Sequence, residues 1–239
     1  MYFKKPLIAT EKENIFHLAP IPVYQKVFDD EELHTFLFNK GFNELTEQQK
    51  LMGQELPDRY DIERQSTYKY QYERKDQWTE ATEYNPIGSR FYTPPNDFLK
   101  TNHLAIDVIN ERIIKGFGEL MDATQIEYDL KDWPPTITES WIQYYHPADG
   151  RGHNQHNHCR WHPNEEPKIG YAGGYYLSDG EPIKDHPYSG AFCFHHRGMT
   201  HFIRPKRGML MMWPYDIVHS VKPFYGKSHR CVINFNIQL

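Results

Sequence analysis

The chain has 239 residues, of which 38% are hydrophobic and 15% aromatic, and its formal net charge is −5 at pH 7. This length and apolar content are sufficient for a folded domain with a sizeable core, and they exclude a disordered chain. The negative charge provides no basic field for a phosphate backbone, so nothing favours a nucleic-acid partner.

The cysteines and the N-terminus predict a cytoplasmic protein. Cys159, Cys193 and Cys231 are odd in number and widely spaced, so a disulfide framework is not expected. The N-terminal segment lacks the apolar region of a signal peptide, and no run approaches the ~18 apolar residues of a membrane span. No membrane partner is therefore expected, and the oligomeric state stays open.

The first part of the chain predicts helices and loops. Residues 1–28 read as an extended lead-in, and Asp29 followed by Glu32 predicts the capped start of a first helix. Residues 43–90 are polar, charged and aromatic without a clear period. We predict that they form loops with short elements that could cover an active site.

A second helix is predicted after the proline pair at positions 94 and 95 because apolar residues recur there at helical spacing. Polar residues alternate with them on the opposite face, so the helix is expected to pack on a sheet. The predicted apolar face comprises Leu104, Val108, Ile109, Ile113, Phe117 and Leu120.

From Ile126 onward the pattern changes to short apolar segments separated by Gly, Pro, Asp and Ser, which predicts β-structure of the jelly-roll type. We therefore predict a mainly β chain with N-terminal helices. Residues 1–125 would be a helical support with covering loops, and residues 126–239 the β-core of the same structural unit. The expected strands are Trp141–Tyr145, Gly170–Leu177, Gly190–His195, Met209–Trp213 and Arg230–Ile237, and residues 222–228 are expected to form a hairpin connection.

Histidines concentrate in the second half, where eleven of the fourteen lie between His146 and His229. His156 and His158 are two residues apart, so in a strand both side chains would leave the same face and provide half of a metal site. His153 is an alternative first ligand. His195 and His196 are adjacent, so at most one of them could face a pocket in a strand.

A third ligand is predicted at His219, which follows a buried strand and a proline turn. It lies 61 residues after His158, a separation at which an antiparallel barrel can return to the same end. Arg230 follows eleven residues later and opens the last strand.

The order of a His-x-ligand pair, a distal histidine and an arginine resembles the 2-oxoglutarate/Fe(II)-dependent oxygenases. Residues 141–145, Gly152, the Gly-Gly-Tyr-Tyr-Leu segment at 173–177 and the Gly-initiated segment at 189–194 resemble successive strands of that family. The resemblance covers roughly residues 138–239. The chain most resembles the oxygenases of phages and bacteria whose first motif is His-x-His.

The resemblance implies a double-stranded β-helix, a relative of the jelly roll and the cupins, with Fe(II) bound by His156, His158 and His219. It implies that 2-oxoglutarate and O2 take the remaining positions on the metal, and that 2-oxoglutarate is converted to succinate and CO2 while a small-molecule or peptidyl substrate is oxidised. Arg230 would pair with the far carboxylate of 2-oxoglutarate, since guanidinium binds carboxylate bidentately. Tyr176 would donate to the same carboxylate, and Tyr145 is a candidate for the cosubstrate wall.

The sequence departs from the family at His158, where Asp or Glu is usual. Either three histidines bind the metal, or only two do and an extra position stays open.

Two other functions stay open. The spacing of Gly150 to the His156 pair, and of Gly208 to Pro214 and His219, matches the two motifs of cupins, so a three-His dioxygenase or isomerase without 2-oxoglutarate is possible. The cupin glutamate is absent, however, and Arg230 would have no role. A non-enzymatic jelly-roll binding module is the third reading.

Overall fold

The computed structural model describes most of the β-core and the two helices. The described residues are 15–18, 21–51, 91–92, 98–124, 135–145, 147, 151–159 and 170–238. The loops predicted for residues 43–90 are wrong for 43–51, where the first helix continues, and residues 52–90 lie outside the described residues. The helices are α1 (Glu31–Leu51) and α2 (Leu104–Thr124), with a 3₁₀ turn at Phe98–Lys100. The strands are β1 (Ile15–Leu18), β2 (Ile21–Val27), β3 (Phe91–Tyr92), β4 (Thr136–Tyr145), β5 (Arg151–His156), β6 (Gly170–Asp179), β7 (Phe192–His196), β8 (Met199–Ile203), β9 (Met209–Pro214), β10 (Val218–Phe224) and β11 (Arg230–Gln238).

The strands form two antiparallel sheets. The larger has the order β1-β2-β9-β6-β11-β4-β3 and the smaller has the order β5-β10-β7-β8. From β4 to β11 the chain passes repeatedly between the sheets, which is the double-stranded β-helix. The predicted mainly β fold with N-terminal helices is therefore confirmed, and each of the five predicted strands is present.

The N-terminal lead-in contributes to the larger sheet. β1 and β2 form a hairpin, and β2 pairs with β9 from Tyr24↔Met212 to Val27↔Met209. Sequence reasoning did not predict these strands because their apolar alternation is interrupted by Pro20 and Pro22, which read as loop punctuation.

Alternation along β11 separates two apolar layers. Val232 points between the sheets, whereas Ile233 and Phe235 point to the outer face of the larger sheet. Both helices pack on that outer face and leave the space between the sheets to the strands alone. No helix among the described residues is long and apolar enough to cross a membrane.

Four of the six residues predicted for the apolar face of α2 are buried, but the face differs from the prediction in the first turns of the helix. Leu104 is 82% exposed and Val108 37% exposed, while Ile106 is fully buried. Gly116 explains part of this orientation, because a Cβ there would lie 2.8 Å from the Tyr24 ring. The helix therefore approaches β2 along its glycine-containing face.

The predicted hairpin at residues 222–228 is wrong. β10 continues to Phe224 in the smaller sheet, whereas β11 lies in the larger sheet, so the connection crosses between sheets. Lys222 donates its backbone N–H to Ala191, and Gly190 donates to Pro223. These bonds extend the pairing with the β7 side beyond the proline at which the sequence predicts a turn.

A buried histidine makes the stability of the fold dependent on pH. His34 of α1 is 1% exposed and its Nε2 lies 2.9 Å from the Tyr175 hydroxyl. Burial, together with the charges of Arg207 and Arg112, lowers the pKa of His34 from 6.5 to about 4. Between these values the unfolded chain binds a proton that the folded protein does not bind, so stability rises with pH.

We expect His34 to lower the free energy of unfolding, measured in urea, by about 2 kcal/mol when the pH falls from 7.5 to 5. His34→Gln should remove that part of the pH dependence. An unchanged slope in His34→Gln would contradict the prediction.

Candidate metal centre

Three histidines converge at one end of the smaller sheet. His156 is the last residue of β5 and is paired in register with His219 of β10. The potential ligand atoms of His156, His158 and His219 all lie within 4.8 Å of one another. The Nε2 atoms of His158 and His219 are 3.3 Å apart. Three imidazole nitrogens at this spacing can contact one metal ion.

His158 reaches this group by a route that the strand periodicity did not predict. β5 ends at His156, so the two side chains do not leave one face of a continuous strand. Instead, the backbone N–H of His158 donates to the Tyr215 carbonyl at 2.9 Å, and the two rings stack with centroids 5.8 Å apart. The connection after β9 therefore holds the histidine in place.

The protonation of two of the rings suits metal ligation. His219 Nδ1 lies 2.9 Å from the Ile217 carbonyl, and His156 Nδ1 lies 2.8 Å from the Asn154 carbonyl. A carbonyl can only accept, so both Nδ1 atoms carry the hydrogen and both Nε2 atoms keep a free lone pair. Burial, and the neighbouring His156 and His158, lower the pKa of His219, which favours the neutral ligand form.

Aromatic side chains fix the position of His219. Its ring stacks on Phe192 at 5.4 Å and meets Trp213 edge-on at 4.9 Å. His219 is itself only 3% exposed. The His219 ring is thus held by packing as well as by its hydrogen bond.

The other histidines considered from the sequence lie outside the trio. The His153 ring contacts that of His156, with centroids 4.2 Å apart and planes tilted by 41°. His195 lies on the opposite face of the smaller sheet from His219, since its Nε2 lies 2.8 Å from the Ser220 hydroxyl on that face. Its neighbour His196 therefore faces inward, and its Nε2 is buried without a hydrogen-bond partner.

Arg230 is a buried cation on the inner face of β11. It is 1% exposed, and its guanidinium carbon lies 4.7 Å from the Tyr145 ring centre and 5.2 Å from that of Tyr176. Nη2 lies 3.4 Å from the Tyr176 hydroxyl, while Nε and Nη1 have no hydrogen-bond partner. Burial raises the pKa of Tyr176, so this hydroxyl stays protonated and can donate.

No ion pair found among the described residues involves Arg230, whereas Arg112 and Arg207 are each paired with a carboxylate. Leaving a buried guanidinium without a counter-charge is costly. A buried guanidinium of this kind is suited to pair with the carboxylate of a ligand.

Small residues line the inner face of the larger sheet between the histidines and Arg230. Ala172 and Gly174 of β6 are central, and a Cβ at Gly174 would lie 3.1 Å from the Val232 side chain. Ala172 is paired with Trp213, which contacts His219, and Arg230 lies at the opposite end of β11. Short residues of β6 therefore lie between the Trp213 end of this inner face and its Arg230 end.

Sequence reasoning brought together the three histidines, Arg230 and its two tyrosines, but it missed the polar inner face of β4 and β11. The available signal was the alternation in β11, where Asn234 and Asn236 interrupt an apolar run with period two. Asn234 Nδ2 donates to Gln143 at 2.8 Å, and Asn236 Nδ2 donates to Glu139 at 2.9 Å.

No protein-family model matches the chain, and no curated protein matches it in sequence. Solved structures do share its fold. AviO1 from Streptomyces viridochromogenes Tue57 is 13% identical over 91% of this chain and 89% of that chain, with a TM-score of 0.54. A Pseudomonas putida prolyl-4-hydroxylase is 14% identical over 92% and 94%, with a TM-score of 0.51. The non-heme α-ketoglutarate-dependent carbocyclase SnoK from nogalamycin biosynthesis is 10% identical over 90% and 79%, with a TM-score of 0.51. At these identities the likeness establishes the double-stranded β-helix fold.

Proposed function

We propose that this protein is an Fe(II)- and 2-oxoglutarate-dependent dioxygenase, a hydroxylase in its reaction type. The observation that carries the proposal is Arg230, a buried guanidinium with two unpartnered nitrogens on the same inner surface as three converging histidines. A metal centre alone gives a buried cation no role. A dicarboxylate that chelates the metal at one end needs a cation to pair with the carboxylate at its other end.

The side chains divide the work of binding. The imidazole nitrogens of His156, His158 and His219 bind the iron. Arg230 pairs with the far carboxylate of 2-oxoglutarate. Tyr176 donates its hydroxyl to the same carboxylate, and Tyr145 covers the guanidinium. When bound, iron and 2-oxoglutarate supply a two-electron oxidation in which O2 yields succinate, CO2 and one oxygen atom for the substrate.

The protein excludes water from this reaction through its packing. Trp213 and Phe192 enclose His219, and the inner apolar layer continues along the strands towards Arg230. The names of two structures with the same fold, a prolyl-4-hydroxylase and an α-ketoglutarate-dependent carbocyclase, support the assignment. We propose that residues 1–125 act as support and covering for a core at 126–239, and that the substrate is a small molecule or a peptide.

His158 favours one alternative, a cupin-type enzyme with three histidines that does not use 2-oxoglutarate. Replacing the usual carboxylate by imidazole leaves one more positive charge on the metal, as in a three-His site. This alternative gives Arg230 no partner, which is why we place it second.

The test is anaerobic reconstitution with Fe(II), followed by addition of 2-oxoglutarate and then O2. We expect a weak metal-to-ligand charge-transfer band with 2-oxoglutarate, and succinate formation after O2 is admitted. Glutarate has the same two carboxylates without the 2-oxo group, so it should give no band. Iron binding without a band or succinate would exclude the proposal, and O2 consumption that is independent of 2-oxoglutarate would favour the cupin alternative.

A further inference from the structure

We infer that Asn236, oriented by Glu139, is a specificity-determining residue that accepts a hydrogen bond from an N–H or O–H group of the substrate beside the metal. This inference rests on the proposed oxygenase function. It assigns the chemical class of the substrate, which is a hydrogen-bond donor, neutral or cationic, near the site of oxidation.

The sheet register places Asn236 at the metal end of the barrel. His158 donates its backbone N–H to Tyr215, and Tyr215 donates to Gly170 at 3.0 Å. Gly170 is paired in register with Gln238 of β11, two residues beyond Asn236. The C-terminal end of β11 therefore lies beside the loop that holds the second histidine of the trio.

A cross-strand row connects Asn236 with a metal ligand. Its neighbour across β6 is Ala172, and the next residue in the row is Trp213 of β9. The Trp213 ring centre is 4.9 Å from that of His219. The residue of β6 between the amide and Trp213 is thus a small alanine.

The amide of Asn236 has a fixed orientation. Its Nδ2 donates to Glu139 Oε2 at 2.9 Å, and a carboxylate oxygen can only accept, so nitrogen rather than oxygen must face Glu139. The side chain is 8% exposed, and its Oδ1 is buried without a hydrogen-bond partner. A buried acceptor that stays unpaired is costly, and a donor from a ligand would satisfy it.

The chemistry of the unpartnered oxygen narrows the class of substrate. Asn236 Oδ1 is a carbonyl oxygen, so it pairs only with a group that carries a hydrogen to donate. Amide, hydroxyl and ammonium groups have such a hydrogen, whereas ionised carboxylate and phosphate groups have none. Carboxylate and phosphate groups are disfavoured here and suit the guanidinium at the other end of the strand.

The experiment measures how strongly matched pairs of compounds stimulate 2-oxoglutarate turnover by the iron-loaded full chain. Each pair differs only in methylation of the donor: a primary amide and its N,N-dimethyl amide, an alcohol and its methyl ether, an amine and its quaternary ammonium. In the wild-type protein we expect the donor-bearing member to stimulate at least about tenfold more, since a site built to bond a donor rejects the analogue that lacks it.

Three variants test whether Asn236 causes the preference for the donor-bearing compound. Asn236→Leu should reduce the ratio within each pair to about twofold or less, because the acceptor is removed. Glu139→Gln should reduce it partly and act on KM for the stimulating compound more than on kcat, since a carboxamide no longer enforces one orientation. Asn110→Leu is the matched control, because Asn110 also has a buried unpartnered Oδ1 but lies on α2 beyond the larger sheet. It should keep the wild-type ratio.

The wild-type panel is decisive even if a variant fails to fold. Equal stimulation by both members, stimulation confined to methylated members, or no stimulation at all would overturn the inference while basal turnover leaves the proposed function intact. Wild-type protein without 2-oxoglutarate turnover would overturn the proposed function and this inference together.

Discussion

His219→Ala is expected to abolish iron binding at stoichiometric concentrations and with it all formation of succinate. His219 is the most buried member of the trio, and its Nδ1 is held by the Ile217 carbonyl so that Nε2 faces the other two rings. Removing even an outer-shell partner of a metal ligand costs roughly 10–100-fold in affinity. Loss of the ligand itself should therefore exceed about 100-fold.

The measurement is anaerobic Fe(II) titration followed by unfolding in urea. A metal that binds only the folded state raises stability by about 2.7 kcal/mol at a concentration 100 times Kd. Wild-type protein should show a rise of this kind, and His219→Ala should show none. This readout does not depend on activity.

His195→Ala is the matched control, because it removes a histidine from the same end of the same sheet but from the opposite face. It should retain iron and turnover. If His219→Ala bound iron as tightly as the wild type, the ligand set would be wrong. His153, whose ring contacts that of His156, would then be the first residue to test.

The residues of the trio were predictable from sequence, but the geometry that joins them was not. The spacing of His156 and His158 indicates convergence on one strand, whereas the strand ends at His156 and a bend held by Tyr215 turns His158 back. That bond links positions 57 residues apart in the chain. Local periodicity carries no information about such a contact.

The fold was predictable where short-range patterns decide it. Alternation and turn residues locate β4, β6, β7, β9 and β11, because inward and outward side chains follow a period of two. The hairpin β1–β2 and the crossing after Phe224 depend on partners distant in sequence, and prolines in both regions read as turns. The polar inner face at Asn236 becomes meaningful only once the register places it beside Ala172 and Trp213.

Arg230→Met is expected to have opposite effects on cosubstrate affinity and on the stability of the ligand-free protein. The guanidinium is enclosed by Tyr145 and Tyr176, with Nε and Nη1 unpartnered. Truncating one partner of a buried charge pair costs about 2–5 kcal/mol in binding. The KM for 2-oxoglutarate should therefore rise at least about 30-fold.

In the ligand-free protein the same substitution removes a buried, unpaired cation and replaces it with an apolar side chain of similar length. We expect the free energy of unfolding to increase by about 1–3 kcal/mol, the usual cost of unsatisfied buried groups. Arg230→Lys should give a KM and a free energy of unfolding between those of the wild type and Arg230→Met. Lysine keeps the charge but lacks the two coplanar nitrogens that bind a carboxylate bidentately. Arg204→Met, at an exposed arginine bonded to the Pro187 carbonyl, is the control and should change neither quantity.

The KM for 2-oxoglutarate and the free energy of unfolding, measured together, distinguish a binding role of Arg230 from a structural one. An arginine that merely holds β11 in place would, when replaced, lower stability and affect kcat and KM together through misfolding. An arginine whose role is to bind a dicarboxylate destabilises the ligand-free protein and stabilises the complex with the dicarboxylate. An unchanged KM with a fall in stability would therefore remove the central support for 2-oxoglutarate, whereas the opposite pattern would identify Arg230 as the far anchor of an anion that begins at the three histidines.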